Sequence, residues 1–146
     1  MAIVYFPSLD QGDVVEVVFL TPSGSAVSMP LLVDSGFTGQ SCFVLPADAE
    51  QLAQAAAPPS QTAGALSGTQ RRVVVTCRLP GLSFQRSLIA ILADVSALDL
   101  PPGIQGMAGL RFLRSFRRWG AVQTDEGSWR FFLSDDLEEP TNESMN

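Results

Sequence analysis

Residues 31–46, LLVDSGFTGQSCFVLP, place one carboxylate between an apolar strand and a glycine turn. An apolar run that ends in Asp-Ser-Gly reads as a strand entering a tight turn, with Met29, Leu31 and Val33 on one face and Leu32 on the other. Asp34 then stands at the end of a buried strand. Burial penalises a carboxylate unless donors or a cation satisfy it, so an acid here either hydrogen-bonds its own turn or does chemistry. The simpler account is an Asx turn in which Asp34 accepts backbone amides.

The composition narrows the chemistry. A chain of 146 residues, 46% of them hydrophobic, suits one domain with a core of its own. No apolar run approaches the roughly 20 residues that cross a bilayer. The first residues, MAIVYFPSLD, lack the basic start and apolar run of a signal peptide. A cytoplasmic protein with no membrane partner is therefore expected. Cys42 and Cys77 lie in strand-like runs and read as buried thiols, although a pairing between them stays open. There is no histidine, which excludes Ser-His-Asp and Cys-His catalysis and a histidine-ligated metal. There is no lysine either, which excludes Schiff-base chemistry and the lysine of a phosphate-binding loop. Two cysteines without histidine fall short of a zinc site, so neither metal nor cofactor is expected. If the chain is a hydrolase, its catalytic groups are carboxylates.

A net charge of −6 argues against a nucleic-acid partner. The basic cluster Arg111, Arg114, Arg117 and Arg118 alternates with Phe112, Leu113 and Phe116, the pattern of an amphipathic helix over about 110–118 with a solvated arginine face.

Apolar, β-branched segments recur over 13–20, 26–33, 42–45, 71–79 and 84–93, and their spacing predicts an all-β barrel or sandwich. Turns at 21–24 and at Pro80-Gly81 make hairpins of two pairs of them. The alanine-rich 47–57 fits a short helix closed by Pro58-Pro59, and polar 61–70 fits a mobile hairpin. A short strand over 104–108 precedes the arginine helix. Two more strands, 119–124 and 128–133, flank an Asp-Glu-Gly turn. Residues 134–146 are polar and acidic without periodicity, so a domain over 1–133 is followed by a tail expected to be disordered.

With this organisation the chain resembles the retropepsin-like aspartic proteases, in their prokaryotic branch. Residues 31–36, LLVDSG, match the pattern of apolar residues followed by Asp-Thr/Ser-Gly, and Phe37-Thr38-Gly39 with 43–46 continues it. About seventy residues later, Met107-Ala108-Gly109 and 110–113 resemble the family's second apolar-apolar-Gly element and the helix after it. Residues 65–69, ALSGT, lie where the family has its flap hairpin. The resemblance covers most of 12–133.

It implies a small closed β-barrel with a flap and one or two short helices. It also implies hydrolysis of peptide bonds by water activated between two carboxyls that share a proton, since like charges in contact cannot both ionise. There is no internal repeat, so one Asp-Ser-Gly per chain implies a homodimer with Asp34 and its symmetry mate on the two-fold axis. Ser35 would then hydrogen-bond across the dimer and Gly36 would let substrate backbone approach. Leu66, Ser67, Gly68 and Thr38 would bind substrate. The implied partners are a second copy and a peptide. Thr38 stands where retroviral members carry an Asp that binds substrate backbone, and two further positions depart from the family pattern: Arg111 where relatives carry Asp or Asn, and Ala108 where they carry a larger aliphatic residue. These departures favour the alternative, a dimeric binding or regulatory module that no longer cleaves. A small barrel unrelated to proteases requires all three likenesses to be coincidence.

Overall fold

Every strand expected from the apolar segments is present in the computed structural model, which describes residues 2–62, 66 and 68–135. In chain order the strands are β1 (Ile3–Pro7), β2 (Val14–Leu20), β3 (Ala26–Asp34), β4 (Phe43–Pro46), β5 (Ala55–Thr62), β6 (Gly68–Leu79), β7 (Phe84–Ala93), β8 (Met107–Gly109), β9 (Arg118–Gln123) and β10 (Trp129–Ser134). The helix α1 spans Leu110–Leu113. Six strands close into a barrel in the order β2-β3-β8-β4-β7-β6, sealed where Phe19 of β2 pairs with Cys77 of β6. Closure leaves these six without a free edge.

Period-two alternation explains which side of each strand is buried. Val15, Val17 and Phe19 of β2 and Val73, Val75, Cys77 and Leu79 of β6 point into the core, with the residues between them more exposed. The core continues through a run of aromatic rings: Phe19 meets Phe43 at 5.2 Å, Phe43 meets Phe112 at 4.9 Å, and Phe112 meets Phe116 at 5.1 Å between centroids. β8 runs parallel to β3 and antiparallel to β4, so it is inserted between the two strands that flank the Asp34 turn. All three of its residues are buried, which is why this strand contains no polar side chain.

Four expectations are corrected. The helix over 47–57 is a 3-10 helix at Ala47–Leu52 only, and Pro58-Pro59 lie inside β5. Small residues at 55–57 pair with β6, and β5 is an edge strand whose register shifts between Ala57 and Ser60, where two residues without N–H groups cost no ladder bonds. The Arg72 Nε–H donates to the Pro58 carbonyl at 2.7 Å across that irregularity. The arginine helix stops after one turn, because Phe112, Leu113 and Phe116 are already in the core and Trp119 is drawn into β9 opposite Leu133. The strand over 104–108 is Met107–Gly109.

The fourth concerns the chain ends. β1, a strand not expected from the sequence, pairs with β10, and β10 with β9, in a separate three-stranded sheet. Ser134, assigned by composition to the tail, is the buried last residue of β10, and Asp135 accepts the Ala2 N–H at 2.9 Å. The remainder of the tail, 136–146, lies outside the described residues.

Cys42 and Cys77 are both free and buried. Burial pushes the Cys77 thiol from 9.0 up to about 12, nearby Cys42 adding to the rise and Arg86 opposing it. Among the described residues no helix is long and apolar enough to cross a membrane.

Candidate functional site

Asp34 is the last residue of β3, in register with Gly109, the last residue of β8. Its side chain closes an Asx turn: the Gly36 N–H donates to Asp34 Oδ1 at 2.9 Å, and the Phe37 N–H donates to the Asp34 carbonyl at 3.1 Å. The chain then returns along β8. Leu110 N–H donates to the Phe37 carbonyl at 3.0 Å and Gly109 N–H to the Cys42 carbonyl at 2.9 Å. A Cβ on Gly109 would lie 2.7 Å from the Phe37 carbonyl oxygen and overlap the Phe37 ring, so this close approach requires glycine. Turn and β8 thus hold each other in place through backbone bonds.

Asp34 is half-buried beside a cavity of about 490 Å³. Leu32, Phe37, Leu66, Leu98, Leu100 and Met107 form its apolar walls, and Asp34, Gly36 and Asp99 border it. Leu66 comes from the connection between β5 and β6, strands that pair as a hairpin up to Thr62 and Gly68. The Gln70 side-chain amide donates to the Leu66 carbonyl at 2.7 Å. Gly68 begins β6 with a φ of 108°, a left-handed conformation that L side chains rarely adopt. Ser67, named with it from the sequence, lies outside the described residues.

The other residues singled out from the sequence divide between this cavity and its surroundings. Ser35 is exposed at the turn, and its hydroxyl has no hydrogen-bond partner among the described residues. Met107 lines the cavity, whereas Ala108 is fully buried, with Val33 and Phe43 as its neighbours in register. Large side chains border that small one on both sides. Thr38 and Arg111 line a different cavity, together with Arg86 and Arg114. Among the described residues no three His, Cys, Asp or Glu side chains gather as metal ligands.

Sequence reading missed Phe37 and the segment 98–100 as walls, and Asp99 as a second carboxylate bordering the cavity. The available signal was the Leu-Asp-Leu string ahead of Pro101-Pro102-Gly103, which reads as a loop with nothing to connect it to residue 34.

A half-buried carboxylate over an apolar cavity, fixed by one amide, can take a proton from water or hold one for a substrate carbonyl. It cannot do both in one step. Comparison of the chain with protein-family models, with curated proteins and with solved structures finds no match.

Proposed function

We propose that the chain is a homodimeric aspartic endopeptidase in which Asp34 and its symmetry mate share a proton and activate water for hydrolysis of a peptide bond. The observation that carries this reading is the position of Asp34. It ends a barrel strand on a turn locked to β8, next to an apolar cavity that Leu66 of the β5–β6 connection also lines. One carboxyl takes the water's proton while the other, protonated, donates to the carbonyl oxygen. Ser35, exposed and with an uncommitted hydroxyl, is available to bond across the two-fold axis. The β5–β6 connection would close as a flap over an extended peptide, whose alternate side chains enter the apolar walls.

One observation favours a dimeric module that binds without cleaving. The hydrogen bond that Asp34 Oδ1 accepts comes from its own turn, which a purely structural Asx residue would also make.

Cleavage of a diverse peptide library between acidic and neutral pH, by the protein and by its Asp34→Asn form, separates the two readings. Asn keeps the shape of the turn and an oxygen for the Gly36 amide. We expect the variant to fold and dimerise like the parent and to lose cleavage completely. Cleavage by Asp34→Asn at the parent's rate refutes the mechanism, and a parent that dimerises but cuts nothing supports the binding module.

A further inference from the structure

The cavity that Thr38 lines has charge of one sign only. Arg86 of β7, Arg111 of α1 and Arg114 just after it converge on a space of about 490 Å³ with no carboxylate in its lining. On a chain of net charge −6 that is an unusual concentration. Neutralisation by a neighbour is available to arginine in this fold: Arg71 holds Glu50 through two bonds of 2.7 and 3.1 Å. The three guanidinium groups of the cavity have no such partner among the described residues, and Arg86 merely lies over the Phe84 ring at 5.1 Å, which leaves its N–H edge free. Cys42 forms part of the floor. Burial raises its thiol pKa, with Arg111 pulling the other way, so the floor stays neutral near pH 7 and supplies no anion.

We propose that this cavity is a carboxylate-binding site for an acidic peptide segment. Guanidinium groups bind carboxylates in pairs of parallel hydrogen bonds, and the hydroxyls of Thr38 and Ser115 add donors beside them. The space exceeds what one small anion fills, and Leu88 and Leu110 offer apolar wall to a residue between two acids. A peptide with closely spaced carboxylates and an intervening aliphatic side chain meets both features. This chain contains such a string at 135–139, Asp-Asp-Leu-Glu-Glu. Its first residue, Asp135, borders a smaller cavity that shares Arg86 and Ser115 with the larger one. The ligand is thus supplied by the same chain or by another polypeptide of like composition, and the site stands whether or not Asp34 cleaves anything.

The test is fluorescence anisotropy of a labelled, end-capped Asp-Asp-Leu-Glu-Glu peptide titrated with three full-length proteins. One is the parent and one carries Asp136→Asn, Glu138→Gln and Glu139→Gln. The third adds Arg111→Gln and Arg114→Gln, both at exposed positions, with a thermal melt to check that it folds. We expect the second protein to bind the peptide, binding to fall with added salt, and the third to bind at least about tenfold more weakly. Equal binding by parent and second protein identifies another polypeptide as the source. Binding by the second protein alone identifies the chain's own acidic string as the occupant, and either outcome supports the site. The proposal is overturned if no protein binds, if the arginine changes leave binding intact, or if an Asn-Asn-Leu-Gln-Gln peptide binds equally well. Binding of inorganic phosphate without binding of the peptide overturns it too.

Discussion

At Gly109 the packing of the site rests on the absence of a single carbon. Alanine there forces its Cβ against the Phe37 carbonyl and ring, and Phe37 is three residues from Asp34 in the same turn. Overpacking of this kind costs about 1–3 kcal/mol, so Gly109→Ala should lower the urea midpoint accordingly. Any cleavage should fall further than stability does, because relief of the clash moves the turn that aims Asp34. Cys77 offers a second test, of burial instead of space. Its thiol is held protonated by the fold, from 9.0 up to about 12, with Cys42 raised as well. Above pH 9 the unfolded thiol releases its proton while the folded one keeps it, so this contribution is complete below pH 9 and disappears as pH rises toward 12. Each such thiol steepens the alkaline loss of stability by up to about 1.4 kcal/mol per pH unit. Unfolding free energies measured from about pH 8 to 11 should decline less steeply in Cys77→Ala than in the parent. Parallel curves would mean that burial does not hold this proton.

Strands were legible wherever alternation and turn residues agreed. The seventh strand has the expected bounds, Phe84–Ala93, because Pro80-Gly81 fixes its start and the apolar run its length. Both helices are present but shorter than their signals, and for a common reason: tertiary partners outweighed local preference. Alanines at 55–57 favour helix in isolation, yet an edge of β6 was available to pair with them, and β5 formed instead. Arginines at 111, 114 and 118 mark a helical face, yet three aromatic rings needed the core before two turns could complete. The single turn of α1 is held by Phe112, whose ring meets those of Phe43, Phe84 and Phe116 at 4.9, 6.2 and 5.1 Å. A fully buried Phe cut to Ala costs about 3–5 kcal/mol, a large share of the 5–15 kcal/mol that holds a typical domain together. Phe112→Ala should therefore lower the urea midpoint by about 2 M, at a typical m of about 2 kcal/mol/M, while leaving the m value unchanged. An unaltered midpoint would mean that α1 is dispensable to the core.

Across the whole molecule, barrel closure and the insertion of β8 beside Asp34 join segments that are about seventy residues apart, and no local pattern in the sequence encodes that register. Asp34 itself was legible because a polar residue ending an apolar strand is conspicuous in one dimension. The cavity beside it was not, since its walls come from β3, the turn, the β5–β6 connection, the 98–100 loop and β8. On the proposed mechanism, one further partner is outside any single chain. If two Asp34 carboxyls from two chains share the work, activity is a property of pairs, and a chain lacking its own carboxyl disables the partner it joins. Parent and Asp34→Asn mixed in equal amounts and allowed to exchange then form active pairs for roughly a quarter of the total, compared with half if each chain works alone. The rate per total protein should follow the smaller fraction at concentrations where light scattering reports a dimer. On dilution below the dimer's dissociation constant, the parent's specific rate should fall, because the pair itself comes apart. A mixture that retains half the parent's rate would mean that a single Asp34 suffices, and the second carboxyl would have to be sought within the chain, beginning with Asp99.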